Sequence, residues 1–200
     1  MAYTDFTLET VKSRLGVKAE MSALFPNLAP VAVPLWLQEM VNRGLRQALT
    51  SEKARDGFLV TPILLGTEEL SQREVAIYSG QWLDGDAKQG LVGECDFILS
   101  ATQPLPFMSA PILTVLEAKK ADIELGIAQC MAQMIGARLF NERAGIIRSE
   151  MYGCVTSGEI WQFLRLEGAL IQIDQRRLFI GNLGEILAVL LAIVSRPTCQ

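Results

Sequence analysis

"LTVLEAKKAD", residues 113–122, carries an apolar run straight into an acid and a base two positions apart. Read as a strand, its side chains alternate between the faces of a sheet, so Leu113, Val115, Glu117 and Lys119 point the same way. Such an ending is either a rim salt bridge or the holder of something. Upstream, "LVGECDFILS" (91–100) reads as a second strand, with Cys95, Phe97 and Leu99 on one side and Glu94, Asp96 and Ile98 on the other. The connection "ATQPLPFMSAP" joins the two strands. Downstream, Asp122 is a good N-cap for a helix over "IELGIAQCMAQMIGARLFNER". Ile123, Ile127, Met131 and Met134 form its apolar stripe. Gly126, Gln129, Gln133 and Gly136 form a second line, small enough to lie close on a sheet while carrying two amides.

Working outward, Thr7–Leu15 reads as a helix closed by Gly16, and Lys18–Leu24 as a second, ended by Pro26. A longer helix follows in "LWLQEMVNRGLRQALTSEKARDG", with Leu37, Val41, Leu45 and Ala48 as its stripe. Continued one turn, that stripe takes in Glu52, an acid on an inward face that needs a partner or an ion to offset its desolvation. Asp56-Gly57 reads as the break. "FLVTPILL" and "REVAIYSG" then read as strands, and "WLDGDAKQG" as a loop whose Asp84 and Asp86 belong to an acidic turn rather than a calcium loop. After the central helix, "MYGCVTS", "IWQFLRL" and "ALIQI" form a strand and a meander, and "LGEILAVLLAIV" closes the chain as a helix. The order predicts an α/β (α+β) fold, a central mixed sheet flanked by helices. One domain over 1–200 is expected: a helical segment at 1–33, a core at 34–157, and the last meander and helix at 158–200.

Composition removes whole classes of chemistry. There is no histidine, so Ser-His-Asp and Cys-His catalysis and histidine metal triads are excluded. Cysteines 95, 130, 154 and 199 contain no CxxC pair and read as small core groups in a reducing compartment. The start of the chain lacks the pattern of a signal peptide. The longest apolar run, Ile186 to Val194, falls short of the ~20 residues of a membrane helix. A cytoplasmic protein without membrane contact is expected. A formal charge of −4 with no basic tract weighs against a passive nucleic-acid coat.

Asp96 on one strand, Glu117 and Lys119 on the next, and an inward Glu52 make an oxygen-rich set suited to a hard ion such as magnesium. Such an ion polarises a phosphoryl oxygen, and a lysine on the same face can orient water or neutralise charge on the phosphorane. An isolated Glu-x-Lys pair is usually a surface salt bridge worth little; the inward Asp96 and Glu52 set this one apart.

On "GECDFILS", "TVLEAKKAD" and the glutamine-bearing "GIAQCMAQM", the chain resembles the PD-(D/E)xK nuclease superfamily, with its restriction-endonuclease-like fold, from about Glu52 to Glu142. The resemblance implies that Asp96 is the first acid, Glu117 and Lys119 the second acid and lysine, Gln129 the supporting glutamine, and Glu52 the acid of the preceding helix. It also implies Mg2+ or Mn2+, held by Asp96, Glu117 and Glu52, and hydrolysis of phosphodiester bonds in DNA, with RNA as the second candidate. Cys95 stands where the motif's name has proline. The alternative is an inactive nuclease-fold subunit that binds nucleic acid or a larger assembly, since fold does not settle activity. A homodimer through the terminal apolar helix is a further expectation. Gln133 is the second choice on the helix, and Lys120 reads as a phosphate contact or a wet charge. Trp161 reads as core and Arg165 as rim, with base stacking and phosphate contact as the functional alternative.

Overall fold

The computed structural model describes residues 2–119 and 123–196. In chain order run α1 (Leu8–Leu15), β1 (Lys18–Ser22), α2 (Leu35–Gly44), α3 (Glu52–Arg55), α4 (Thr61–Leu70), β2 (Ala76–Asp86), β3 (Leu91–Ser100), β4 (Ile112–Ala118), α5 (Glu124–Arg143), β5 (Glu150–Thr156), β6 (Ile160–Glu167), β7 (Leu170–Asp174), β8 (Leu178–Phe179) and α6 (Leu183–Val194).

The strands form one mixed sheet in the order β1-β7-β6-β5-β4-β3-β2, with β8 pairing an end of β6. β2, β3 and β4 are an antiparallel meander, and β5, β6 and β7 are another. Between them β4 and β5 are parallel, which requires a crossover, and α5 supplies it. β4 is buried along its whole length, which is why its sequence is a continuous apolar run rather than an alternation. One face of the sheet packs against α5 and α1 through Val115, Ile98, Met131 and Val11. The other packs against α2, α4 and α6 through Leu116, Phe97, Val41, Leu64 and Ile186.

α5 is locked onto β4 by polar side chains inside this core. Asn141 Oδ1 accepts from the Ile112 backbone N–H at 2.8 Å, and its Nδ2 donates to the Ile112 carbonyl at 2.9 Å. The small-residue line seats the helix closely: a Cβ on Gly136 would come within 2.0 Å of the Tyr3 hydroxyl.

Several local expectations give way. Lys18–Leu24 is not a helix; Lys18–Ser22 is strand β1, because parallel pairing with Leu170–Asp174 outweighs its weak helical preference. The helix expected from Leu35 ends at Gly44, and Leu45 and Ala48 are exposed. Gly44 lies against the Phe58 carbonyl, where a Cβ would sit at 2.2 Å. Asp56-Gly57 does not break the chain. It lies in a five-residue π-helical turn, Asp56–Val60, that joins α3 to α4. "FLVTPILL" is therefore helical, with Leu59, Val60, Ile63 and Leu64 buried at helical spacing and Pro62 in the first turn of α4, where a missing N–H costs nothing. "WLDGDAKQG" is not a loop at its start, because β2 runs on to Asp86.

Two face assignments also shift. Leu99 pairs with Thr114 and Ser100 with Ile112, so Leu113 is the extra residue of a bulge and joins the α6 side, opposite Val115. Gly80, at φ 62°, stands opposite Asp96 between the pairs Ser79–Phe97 and Gln81–Cys95, and the side-chain alternation of both strands changes face across this point. Cys95 consequently packs with Ile98 beneath α5 instead of with Phe97 and Leu99.

The closing helix α6 buries Ile186, Leu187, Val189, Leu190, Ile193 and Val194 within its own chain. Among the described residues no helix is long and apolar enough to cross a membrane.

Candidate active site

The pairs Phe97–Leu116 and Ile98–Val115 carry Asp96 opposite Glu117 where β3 and β4 part. Asp96 Oδ2 accepts from the Ala118 backbone N–H at 2.7 Å, which pins that carboxyl to the neighbouring strand. Glu117 is 2% exposed and lies under α5. Its Oε1 accepts from Lys119 Nζ at 2.5 Å, and its Oε2 accepts from Gln133 Nε2 at 2.7 Å. Lys119 Nζ also donates to Gln129 Oε1 at 3.3 Å. Gln129 and Gln133 lie one turn apart on α5, so one helix face serves both the lysine and the acid. The Lys119 backbone N–H donates to the Thr156 carbonyl, which holds the chain beyond β4 against β5.

Gly126 makes room for this arrangement. A Cβ there would stand 2.6 Å from Val155 Cγ1 and 3.1 Å from Lys119 Cγ.

Asp56 completes the cluster. It is half-buried, it responds to the charges of Asp96, Glu52 and Lys119, and its Oδ1 is buried without a hydrogen-bond partner. It lies in a π-helical turn, an irregularity frequent at functional sites. Glu52 stands at the rim. It is exposed in the first turn of α3, and its charge still reaches Asp56, Asp96 and Lys119. It is not on the buried stripe of one long helix, because the chain leaves helix between Leu45 and Ser51.

The electrostatics follow from four acids gathered round one base. Burial, then the Asp96 charge, pushes Glu117 up to about 7 against the pull of Lys119 and Gln133. Burial, then Asp96 and Glu52, pushes Asp56 up to about 7. Asp96 is raised by burial first, with Glu52 and Glu94 adding to it and the Ala118 N–H and Lys119 opposing. Burial alone would lower Lys119, but Glu117, Glu52 and Asp96 together outweigh it, so its ammonium is held above the ordinary lysine value. The cluster is short of positive charge, and its carboxylates repel one another unless a proton or a cation intervenes.

Asp96, Glu117, Lys119 and Gln129 thus come together, with Gln133 bound directly to Glu117. Lys120 and Asp122 lie outside the described residues. Sequence reasoning missed Asp56, which it took for a helix breaker. The usable signal was its spacing, four residues beyond Glu52 and so on the same helical face. Trp161 is buried, with its indole N–H donating to the Gly158 carbonyl, and Arg165 is held by Glu150 and Gln172, so both are structural. Cys95, Cys130 and Cys154 are buried free thiols. A cavity of about 620 Å³ lined by Asp84, Lys88, Glu142 and Arg143 lies at the far, C-terminal end of α5 and takes no part.

The donor set suits a divalent cation: hard carboxylate oxygens, a buried oxygen with no partner on Asp56, and mutual repulsion that a cation would relieve. As the side chains stand, no three ligating groups among the described residues converge on one point, since Glu117 is turned onto Lys119 and Gln133. No protein-family model matches the chain, and no curated protein matches it in sequence.

Proposed function

We propose that the chain is a metal-dependent phosphodiester hydrolase of the PD-(D/E)xK kind, acting on DNA or RNA. The observation that carries this reading is the register that sets Asp96 opposite Glu117, with Lys119 and the orphaned Asp56 oxygen at the same place. Asp96, Glu117 and Asp56 would hold Mg2+ or Mn2+, with Glu52 contributing charge from the rim. When bound, the ion supplies Lewis-acid polarisation of the scissile phosphate.

The chain's own residues set up the remainder. The Ala118 N–H fixes the Asp96 carboxyl in place. Gln133 fixes one Glu117 oxygen and leaves the other to Lys119. The acids around Lys119 keep its Nζ protonated, so it acts as a cation toward charge building on the phosphorane and as a donor that orients water. Gln129 steadies that ammonium. Histidine is not required at any step.

The test is a cleavage panel of single- and double-stranded DNA and RNA with Mg2+ or Mn2+, run beside Lys119→Ala. Cleavage that needs the ion and disappears in a folded Lys119→Ala protein supports the reading. Folded, ion-supplied protein that cuts nothing in the panel defeats it.

A second reading, a non-catalytic nucleic-acid-binding or assembly subunit on the same scaffold, is favoured by one observation: Glu117 is closed onto Lys119 and Gln133. Ion titration separates the two, because an intact site gains thermal stability with Mg2+ or Mn2+ and a vestigial one does not.

A further inference from the structure

Trp82 is 64% exposed on β2, an edge strand of the sheet. The chain's other tryptophans are committed elsewhere: Trp161 is buried, and the Trp36 indole N–H donates to Glu69. Trp82 pairs across the ladder with Glu94, so the two share a face; Gly80 lies two residues from Trp82 with the Glu94 carboxylate beside it, and the Glu94 charge reaches Asp96. The surface above Gly80 is open: a Cβ built there meets only Glu94 Oε1, at 3.2 Å. A flat indole, a side-chain-free floor and a carboxylate therefore lie in sequence beside Asp96, with the floor set by a glycine at φ 62°.

We propose that Trp82, Gly80 and Glu94 form a subsite for an unpaired nucleobase bearing an exocyclic amino group, next to the scissile phosphate. This rests on the hydrolase reading and narrows its substrate to single-stranded or locally unpaired nucleic acid. Stacking on an indole needs only a base face, and an unpaired base offers one that a stacked duplex does not. A carboxylate repels phosphate but accepts from the amine of cytosine, adenine or guanine, so Glu94 reads the base and not the backbone. The formal charge of −4 gives phosphate little general attraction. Aromatic stacking is then the stronger available grip.

The experiment is binding of fluorescent oligo(dC), oligo(dA), oligo(dT) and a duplex to the full chain in chelator, compared among wild type, Trp82→Ala, Trp82→Phe and Glu94→Gln. Wild type should prefer oligo(dC) and oligo(dA) to oligo(dT) and to the duplex. Trp82→Ala should lose about five- to a hundredfold in affinity, and Trp82→Phe should recover most of that loss. Glu94→Gln should keep the stacking and erase the preference over oligo(dT). Unchanged affinity in Trp82→Ala, no binding of any strand by wild type, or tighter binding to the duplex overturns the proposal. Failures remain distinguishable: cleavage that persists with Trp82 irrelevant removes the subsite alone, and Trp82-dependent binding without cleavage removes the hydrolase reading alone.

Discussion

The substitution Asp56→Asn should stabilise the metal-free protein, and should do so only where the acid is ionised in the unfolded chain. In the fold its carboxyl is raised to about 7, by burial first and then by Asp96 and Glu52. A rise of that size from the ordinary aspartate value corresponds to about 4 kcal/mol for a fully enclosed group. The side chain is only half-buried, and solvent screening reduces this to about 2 kcal/mol. Below about pH 4 both states hold the proton and the substitution gains nothing. Between about pH 4 and pH 7 the unfolded chain ionises while the folded one resists, so wild-type stability falls. Above about pH 7 the full cost is present. The amide of the variant never ionises, so the gap between variant and wild type opens across that window and then stays constant. For a chain of this size it amounts to about 4–8 °C in Tm. The assay is thermal unfolding in chelator near pH 4 and near pH 8, roughly the two ends of that window. An equal difference at both, or a variant less stable than wild type near the upper end, would refute the reasoning. With Mg2+ or Mn2+ at ~100 times Kd, wild type should gain about 2.7 kcal/mol and the variant clearly less.

Lys119→Ala should cut the cleavage rate by about 10²- to 10⁴-fold while the circular dichroism spectrum stays native. Gln133→Ala, which frees one Glu117 oxygen, should lower kcat by about 10- to 100-fold with KM little changed, and a KM effect alone would argue against a positioning role. Gly126→Ala forces the new methyl onto Val155 and Lys119, and should cost about 1–3 kcal/mol in denaturant unfolding together with activity. Asn141→Ala leaves both Ile112 backbone groups without their partner. It should destabilise by about 2–4 kcal/mol, measured by the same unfolding, even though Asn141 lies at the opposite end of α5 from the site.

The parts of this protein written in local pattern were readable from its residues. β4 announces itself as an apolar run, α5 as a long helix with an amide line, and the terminal strands as a meander between Ser-Gly and Glu-Gly turns. Strand alternation put Glu117 and Lys119 on one face, and the absence of histidine removed imidazole acid–base chemistry and histidine metal ligation. Tertiary contact decided the rest. Whether Lys18–Ser22 is helix or strand depends on β7, more than a hundred residues away, and whether "FLVTPILL" is strand or helix depends on which sheet face covers it. A short apolar run has no period long enough to choose for itself. The third acid was lost for the same reason. Glu52 and Asp56 are one helical turn apart, and only the packed chain leaves Glu52 exposed at the rim while it buries the Asp56 Oδ1.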